Sequence, residues 1–142
     1  MPSESLVEVP VLDRELLSDA LVADFQGRML NIHPSLLPAY KGLHTHARAL
    51  EAGDAEHGCS VHFVTPALDA GPVVARGVVP VRAEDDEESL ARRVQVQEHR
   101  IYPLVVRWFA EGRLRLDERG VHLDGSLLSQ PLDVRADDAL PA

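Results

Sequence analysis

The sequence predicts an α/β fold, and three observations lead there. Residues 29–33, 58–65 and 73–81 are short apolar runs rich in β-branched side chains, as buried strands require. Residues 13–25 and 87–111 instead repeat their apolar positions at helical spacing. Glycine, proline and aspartate fall between these segments, so the turns come where the period changes.

In the first segment Leu16, Leu17, Ala20, Leu21 and Phe25 recur at helical spacing, and Gly27 supplies the stop. The strand at 29–33 follows, and Pro34 and Pro38 force extended or turn geometry beyond it. Thr45 is placed to cap a short helix over 46–52, which Gly53 closes. The strand at 58–65 lies between Gly58 and Pro66 and is the clearest in the chain. The next, at 73–81, is interrupted near Gly77, and Pro80 marks an edge or an end. Asp69-Ala70-Gly71-Pro72 joins these two strands tightly, so they read as a hairpin. Asp86 opens the longest helix, with acidic residues at the positive end of its dipole. Its inner stripe is Leu90, Val94, Gln97/Glu98, Ile101, Leu104/Val105 and Trp108/Phe109, with a kink expected at Pro103. Residues 114–116 and 121–128 read as a terminal hairpin turning at Asp124-Gly125, and the last dozen residues as a loose acidic tail.

The 142 residues suit one domain, and 45% hydrophobic with 26% charged residues is a globular balance. A formal charge of −9 gives no attraction to a nucleic-acid backbone or an anionic membrane, so neither is an expected partner. No apolar run approaches the ~20 residues of a membrane helix, and the N-terminus lacks a secretory pattern. A cytoplasmic protein is expected. The lone Cys59 excludes an internal disulfide and reads as a small buried apolar residue.

The segment with the most chemistry is Asn31-Ile32-His33-Pro34-Ser35-Leu36-Leu37-Pro38, with Asp69 following 36 positions after His33. Alternation along a strand points Asn31 and His33 to one side. The two prolines stiffen the backbone beyond them, as a positioned group needs. A separately anchored loop offers Asp69, which can cap its own turn or act as an acid. An amide donor, a titratable ring and a carboxylate able to tune that ring suit acyl transfer. Gln95 and Glu98 lie at the edge of the long helix's stripe, where they can meet solvent or a ligand. His57 and His122 read as solvated loop or edge residues. His44 and His46 diverge at a helix start, and neither a His-Glu-x-x-His motif nor a cysteine pair occurs, so no metal is expected. No GxGxxG or P-loop glycine pattern is present.

Taken in order, these segments resemble the folate-dependent phosphoribosylglycinamide formyltransferase family of purine synthesis. They are Gly-Arg-Met-Leu-Asn-Ile-His-Pro-Ser-Leu-Leu-Pro at 27–38, Gly42-Leu43-His44-Thr45-His46, and the strand at 58–65. Leu68-Asp69-Ala70-Gly71-Pro72 and residues 94–103 complete the series. The likeness runs from about 18 to 128. Methionyl-tRNA formyltransferase and formyltetrahydrofolate deformylase share some of these elements. The Gly-Leu-His-Thr-His run and the Gln-Glu-His-x-x-Tyr-Pro helix resemble the purine enzyme.

The resemblance implies the C-terminal part of a formyltransferase-type Rossmann-like domain, its first βα units and phosphate loop absent. Residues 1–17 match poorly, with Arg14-Glu15 where Met-Arg is expected; 18–128 form the domain and 129–142 the tail. Such a part would leave one sheet edge unpaired. The implied reaction moves a formyl group from 10-formyltetrahydrofolate, a co-substrate, to the amine of glycinamide ribonucleotide, with no metal. By the same resemblance Asn31, His33 and Asp69 are the catalytic trio. Asn31 would hold the formyl oxygen, His33 assist proton transfer, and Asp69 stabilise the charged ring. Glu98, His44 and Ser60 would line the nucleotide site, Glu98 meeting the ribose hydroxyls. Leu16, Leu17, Asn31, Leu68 and Asp69 would border the folate. The bond between Leu37 and Pro38 is a candidate cis peptide. A non-catalytic remnant of the enzyme and a formyltetrahydrofolate hydrolase are the alternatives, and the oligomeric state is left open.

Overall fold

The strands assemble into one four-stranded sheet, with a smaller three-stranded sheet beside it. A computed structural model describes residues 19–25, 27–66 and 71–142. The chain order is α1 (Asp19–Asp24), β1 (Leu30–His33), α2 (Thr45–Ala52), β2 (Glu56–Phe63), β3 (Val73–Pro80) and α3 (Glu87–Ala110). β4 (Leu114–Asp117), β5 (Gly120–Leu123), β6 (Ser126–Leu127) and β7 (Leu132–Arg135) follow. Residues 13–18 of the helix expected at 13–25, together with residues 1–12, lie outside the described residues, and α1 is the described part of that helix.

β1 pairs antiparallel with β2, β2 antiparallel with β3, and β3 parallel with β7. The expected hairpin between residues 58–65 and 73–81 is therefore present as β2–β3. Directly paired residues share a face of a sheet. Leu30, Val61, Phe63 and Ala75 consequently join one apolar surface, and α3 lays Leu90, Val94, Ile101, Leu104, Val105 and Trp108 against it. Phe63 and Phe109 meet edge to face, with ring centroids 6.4 Å apart. The stripe expected on the long helix is the buried one, including Gln97, which is 1% exposed. Gln97 Nε2 donates to the carbonyls of Val78 (3.2 Å) and Val134 (2.8 Å), tying the helix to two strands. Cys59 is buried as expected, and burial pushes its thiol up to about 12.

Several boundaries and contacts differ from expectation. The residue capping α2 is His44 in the left-handed region, without a side-chain cap, rather than Thr45. Thr45 is the first helical residue, and its hydroxyl is spent on the carbonyl of Pro34. Asp86 does cap α3, in a reciprocal pair with Ser89: each backbone N–H donates to the other's side chain. Pro103 sits on the exposed side of an unbroken α3, where it removes one donor without ending the helix. The terminal hairpin is a three-stranded meander, because Glu118-Arg119 makes an extra turn before Asp124-Gly125 joins β5 to β6. Asp124 and Gly125 both adopt positive φ, at 53° and 82°, as the tight turn requires.

Residues 129–142 are not a loose tail. They supply β7, whose Val134 enters the core, and their acidity is absorbed locally. Asp133 takes a bidentate bond from Arg76 at 2.7 Å and 2.7 Å, and Asp138 caps the backbone of Arg135. Arg100 donates to the carbonyls of Arg135, Ala136 and Asp138.

Gly58 lies where β2 crowds β3 and the proline segment. A Cβ there would sit 1.8 Å from the Gly77 carbonyl oxygen and 2.9 Å from Leu36 Cδ2. Gly53, at the end of α2 with φ 70°, has nothing within 4 Å of such an atom. Gly58→Ala should therefore destabilise by about 3 kcal/mol or more, and Gly53→Ala by about 1 kcal/mol. Urea midpoints of the two variants check this, and equal losses would contradict the steric account.

Candidate active site

β1 is four residues long, and its register with β2 sets the site. Asn31 pairs with His62 and His33 with Ser60, so all four side chains belong to the face opposite α3. Asn31 is 7% exposed and His33 5%, while Ser60 and His62 are buried completely or nearly so.

Over this face runs the proline segment, and Ser60 holds it. Its hydroxyl accepts from the Leu37 N–H at 3.0 Å and donates to the Ser35 carbonyl at 2.7 Å. The peptide between Leu37 and Pro38 is cis, as the resemblance suggested. Arg76 Nη1 reaches the Leu37 carbonyl at 3.3 Å. The segment then turns back so that the Tyr40 carbonyl lies 2.8 Å from His33 Nε2. A carbonyl can only accept, so Nε2 carries the proton and the ring's tautomer is set by the backbone. The Tyr40 hydroxyl in turn donates to Asp54, whose carboxylate holds the phenol proton and raises the Tyr40 pKa.

Beside the segment stands a pair of imidazoles. His46 Nδ1 and His57 Nε2 are 3.0 Å apart, with ring planes at 89°. His57 is 1% exposed, not solvated as its sequence context suggested, because β2 starts one residue before it and carries it inward. His122, likewise expected at the surface, is 6% exposed and held by Asp117 at 2.9 Å. Burial, and then the neighbouring His46, lowers the His57 pKa to about 4.

Of the residues expected in the site, Asn31, His33 and Ser60 are brought together. His44 is exposed at the start of α2, with φ 59°. Glu98 lies on α3, across the sheet from His33. One turn further, the Tyr102 hydroxyl donates to the Leu30 carbonyl at 3.3 Å, so this side of α3 runs towards β1. Glu98 is half-buried, and burial raises its carboxyl pKa. Leu16, Leu17, Leu68 and Asp69 lie outside the described residues. The described backbone before and after residues 67–70 is tied together: Phe63 N–H donates to the Pro72 carbonyl at 2.9 Å. Gly71 approaches so closely that a Cβ would stand 1.7 Å from Phe63 O. Among the described residues, no group of three or more His, Cys, Asp or Glu is placed to hold a metal ion, and no helix is long and apolar enough to cross a membrane.

Sequence reasoning missed His62, the His46–His57 pair and the carbonyl of Tyr40. Alternation within 58–65 already places Ser60 and His62 on one face, but only the register with β1 brings that face to Asn31. No sequence pattern announces a backbone carbonyl as a partner.

A buried amide and imidazole on one strand face, roofed by a proline segment, here belong to a chain of the formyl transferase family, whose family model matches residues 7–106. Within it, the chain is 60% identical over 113 residues to the phosphoribosylglycinamide formyltransferase of Escherichia coli (strain K12), covering 80% of this chain and 53% of that protein. It is 50% identical over 114 residues to the enzyme of the same name from Haemophilus influenzae, covering 80% and 54%. The structure of the phosphoribosylglycinamide formyltransferase of Coxiella burnetii, solved with CHES, superposes with a TM-score of 0.78 at 50% identity, covering 82% of this chain and 56% of that one. A formyltetrahydrofolate deformylase from Pseudomonas syringae superposes at 0.70 with 28% identity, covering 74% and 35%. The chain thus spans about half the length of the curated relatives it matches.

The His57 shift has a consequence for stability. An ordinary histidine titrates near 6.5 and the folded His57 is pushed down to about 4, so the unfolded chain binds the proton more tightly. Stability held at neutral pH should be lost as pH falls from 6.5 towards 4, with His46, also lowered by burial, acting in the same direction. His57→Phe should flatten that dependence between pH 7 and pH 5, read by urea denaturation at each pH; an unchanged slope would assign the loss to other groups.

Proposed function

We propose that this chain carries the formyl-transfer chemistry of a phosphoribosylglycinamide formyltransferase, moving the formyl group of 10-formyltetrahydrofolate to the amine of glycinamide ribonucleotide. The observation carrying the proposal is that Asn31 and His33 share one buried face, with His33 Nε2 committed to the Tyr40 carbonyl.

In this reading the substrate amine attacks the formyl carbon, and its bond to that carbon forms as the carbonyl π electrons move to oxygen. The Asn31 amide donates to that developing oxyanion from a site screened from water. Collapse breaks the bond from the formyl carbon to the folate nitrogen, which takes up one proton while the attacking amine gives one up. His33 assists that exchange, its ring held in direction by the bond from Nε2 to the Tyr40 carbonyl. Asp69, which falls between β2 and β3 in the sequence, stabilises the charged ring. Glu98, on the side of α3 that runs towards β1, meets the ribose hydroxyls, and burial keeps its carboxyl more readily protonated than usual. His44 and Ser60 border the nucleotide, Ser60 through the backbone it pins. Leu16, Leu17 and Leu68 border the folate. The co-substrates are the only partners the proposal requires, a cytoplasmic setting suits them, and no metal takes part.

The test is nucleotide-dependent conversion of 10-formyltetrahydrofolate to tetrahydrofolate by the purified chain. Asn31→Ala should lower kcat by roughly 10²–10³-fold, the usual loss for one oxyanion donor, and His33→Ala should abolish nucleotide-dependent turnover. Formate release without nucleotide would favour hydrolysis instead. No turnover from protein shown to be folded would overturn the proposal.

A further inference from the structure

The segment that meets His33 is strained. Within five residues Tyr40, Gly42 and His44 all adopt the left-handed region, with φ of 54°, 86° and 59°. Only the glycine does so without cost. A non-glycine residue held there persists when its surroundings dictate it, and such strain concentrates at functional sites. Something must therefore hold this backbone, and the hold must lie outside the segment itself.

One side chain does this from α2. Arg48 Nη1 donates to the Lys41 carbonyl at 2.7 Å and to the Leu43 carbonyl at 3.1 Å. These carbonyls alternate with the three left-handed residues, so a single guanidinium group fixes the peptide orientations between them. The same group lies over the Tyr40 ring, 5.2 Å from its centroid, where the cation meets the negative face of the π system. Tyr40 is thus gripped twice, by Arg48 on its ring and by Asp54 at its hydroxyl. Its carbonyl is the one that receives His33 Nε2–H. The N–H of Arg48 meanwhile makes an ordinary helical bond to the His44 carbonyl at 3.0 Å, which the side chain does not influence.

We propose that Arg48 is a positioning residue for His33, clamping the left-handed segment so that the Tyr40 carbonyl stays on Nε2 and fixes the ring's tautomer and direction. Arg48 touches neither His33 nor any reacting atom; it acts through two carbonyls and one ring. The guanidinium fork and its flat face are both used, so lysine is not an equivalent replacement. The catalytic consequence rests on the formyl-transfer reading, whereas the clamp itself is a property of the fold.

The experiment uses the full chain, with nuclear magnetic resonance of the His33 ring nitrogens and the backbone carbonyl carbons, and amide hydrogen exchange, as readouts. In Arg48→Gln, the carbonyl carbon signals of Lys41 and Leu43 should shift, because both bonds from the guanidinium are lost. The His33 Nε2–H signal should broaden or vanish while amides in the last turn of α2 keep their protection. Arg48→Lys should fall between parent and Arg48→Gln. Arg92→Gln, which removes an exposed pairing with Glu88, should match the parent. An unchanged His33 signal in Arg48→Gln would overturn the inference, as would an equal loss of protection throughout α2, which would make Arg48 only a helix stabiliser. Turnover measured on the same proteins separates the two readings. A parent without formyl transfer but with an Arg48-dependent His33 signal would remove the functional proposal and keep the clamp.

Discussion

The double hydrogen bond of Ser60 is the constraint on which the candidate site depends. Its hydroxyl takes the Leu37 N–H and gives to the Ser35 carbonyl, so one buried side chain on β2 holds the proline segment at two backbone points. Such a group does more than contribute one bond. Buried N–H and carbonyl groups must be paired, and the segment's alternative partner, water, is excluded here. With the segment held there, the Tyr40 carbonyl can meet His33, Thr45 can reach Pro34 and α2 can start where it does.

The sheet divides the work between its faces. On one side β1, β2 and β3 present aliphatic and aromatic groups to α3, and this burial supplies the cohesion of the domain. The other side carries Asn31, His33, Ser60 and His62, polar groups that are costly to bury unless bonded. A short strand can serve both needs because successive residues alternate between faces: Leu30 belongs to the core and Asn31 to the site. Gln97 shows the same economy on α3, a polar side chain buried where two strand carbonyls accept its protons.

Charge is handled locally. Although the chain is acidic by nine charges, its carboxylates near structural junctions meet arginines or backbone N–H groups. Arg93 and Ser89, with the Arg82 N–H, hold Asp85 well below the ordinary carboxylate range beside the start of α3. Arg76 and Asp133 stitch β7 to β3 in a bidentate pair. The proline segment is different: its one guanidinium contact from α2 goes to carbonyls and a ring rather than to an acid.

What the sequence determined by itself was the alternation and the residue types. The apolar periods located β1, β2, β3 and α3 to within a residue or two, because burial enforces those periods wherever one face meets a core. The spacing of Asn31 and His33 was legible for the same reason, as a strand leaves them no choice but a common face. The cis bond at Leu37 and the family could be read from local motifs. The tertiary structure alone decided the rest. Register placed Ser60 and His62 opposite His33 and Asn31, a fact no single strand contains. It drew residues 132–135 into the sheet although composition marked them as tail, since Arg76, Arg100 and Gln97 lie far away in sequence. It turned His57 inward, and it chose a backbone carbonyl and the distant Arg48 to orient the imidazole. Sequence patterns record which side of an element faces inward; which partners then meet is decided when separate elements pack, and carbonyls leave no trace in the residue code.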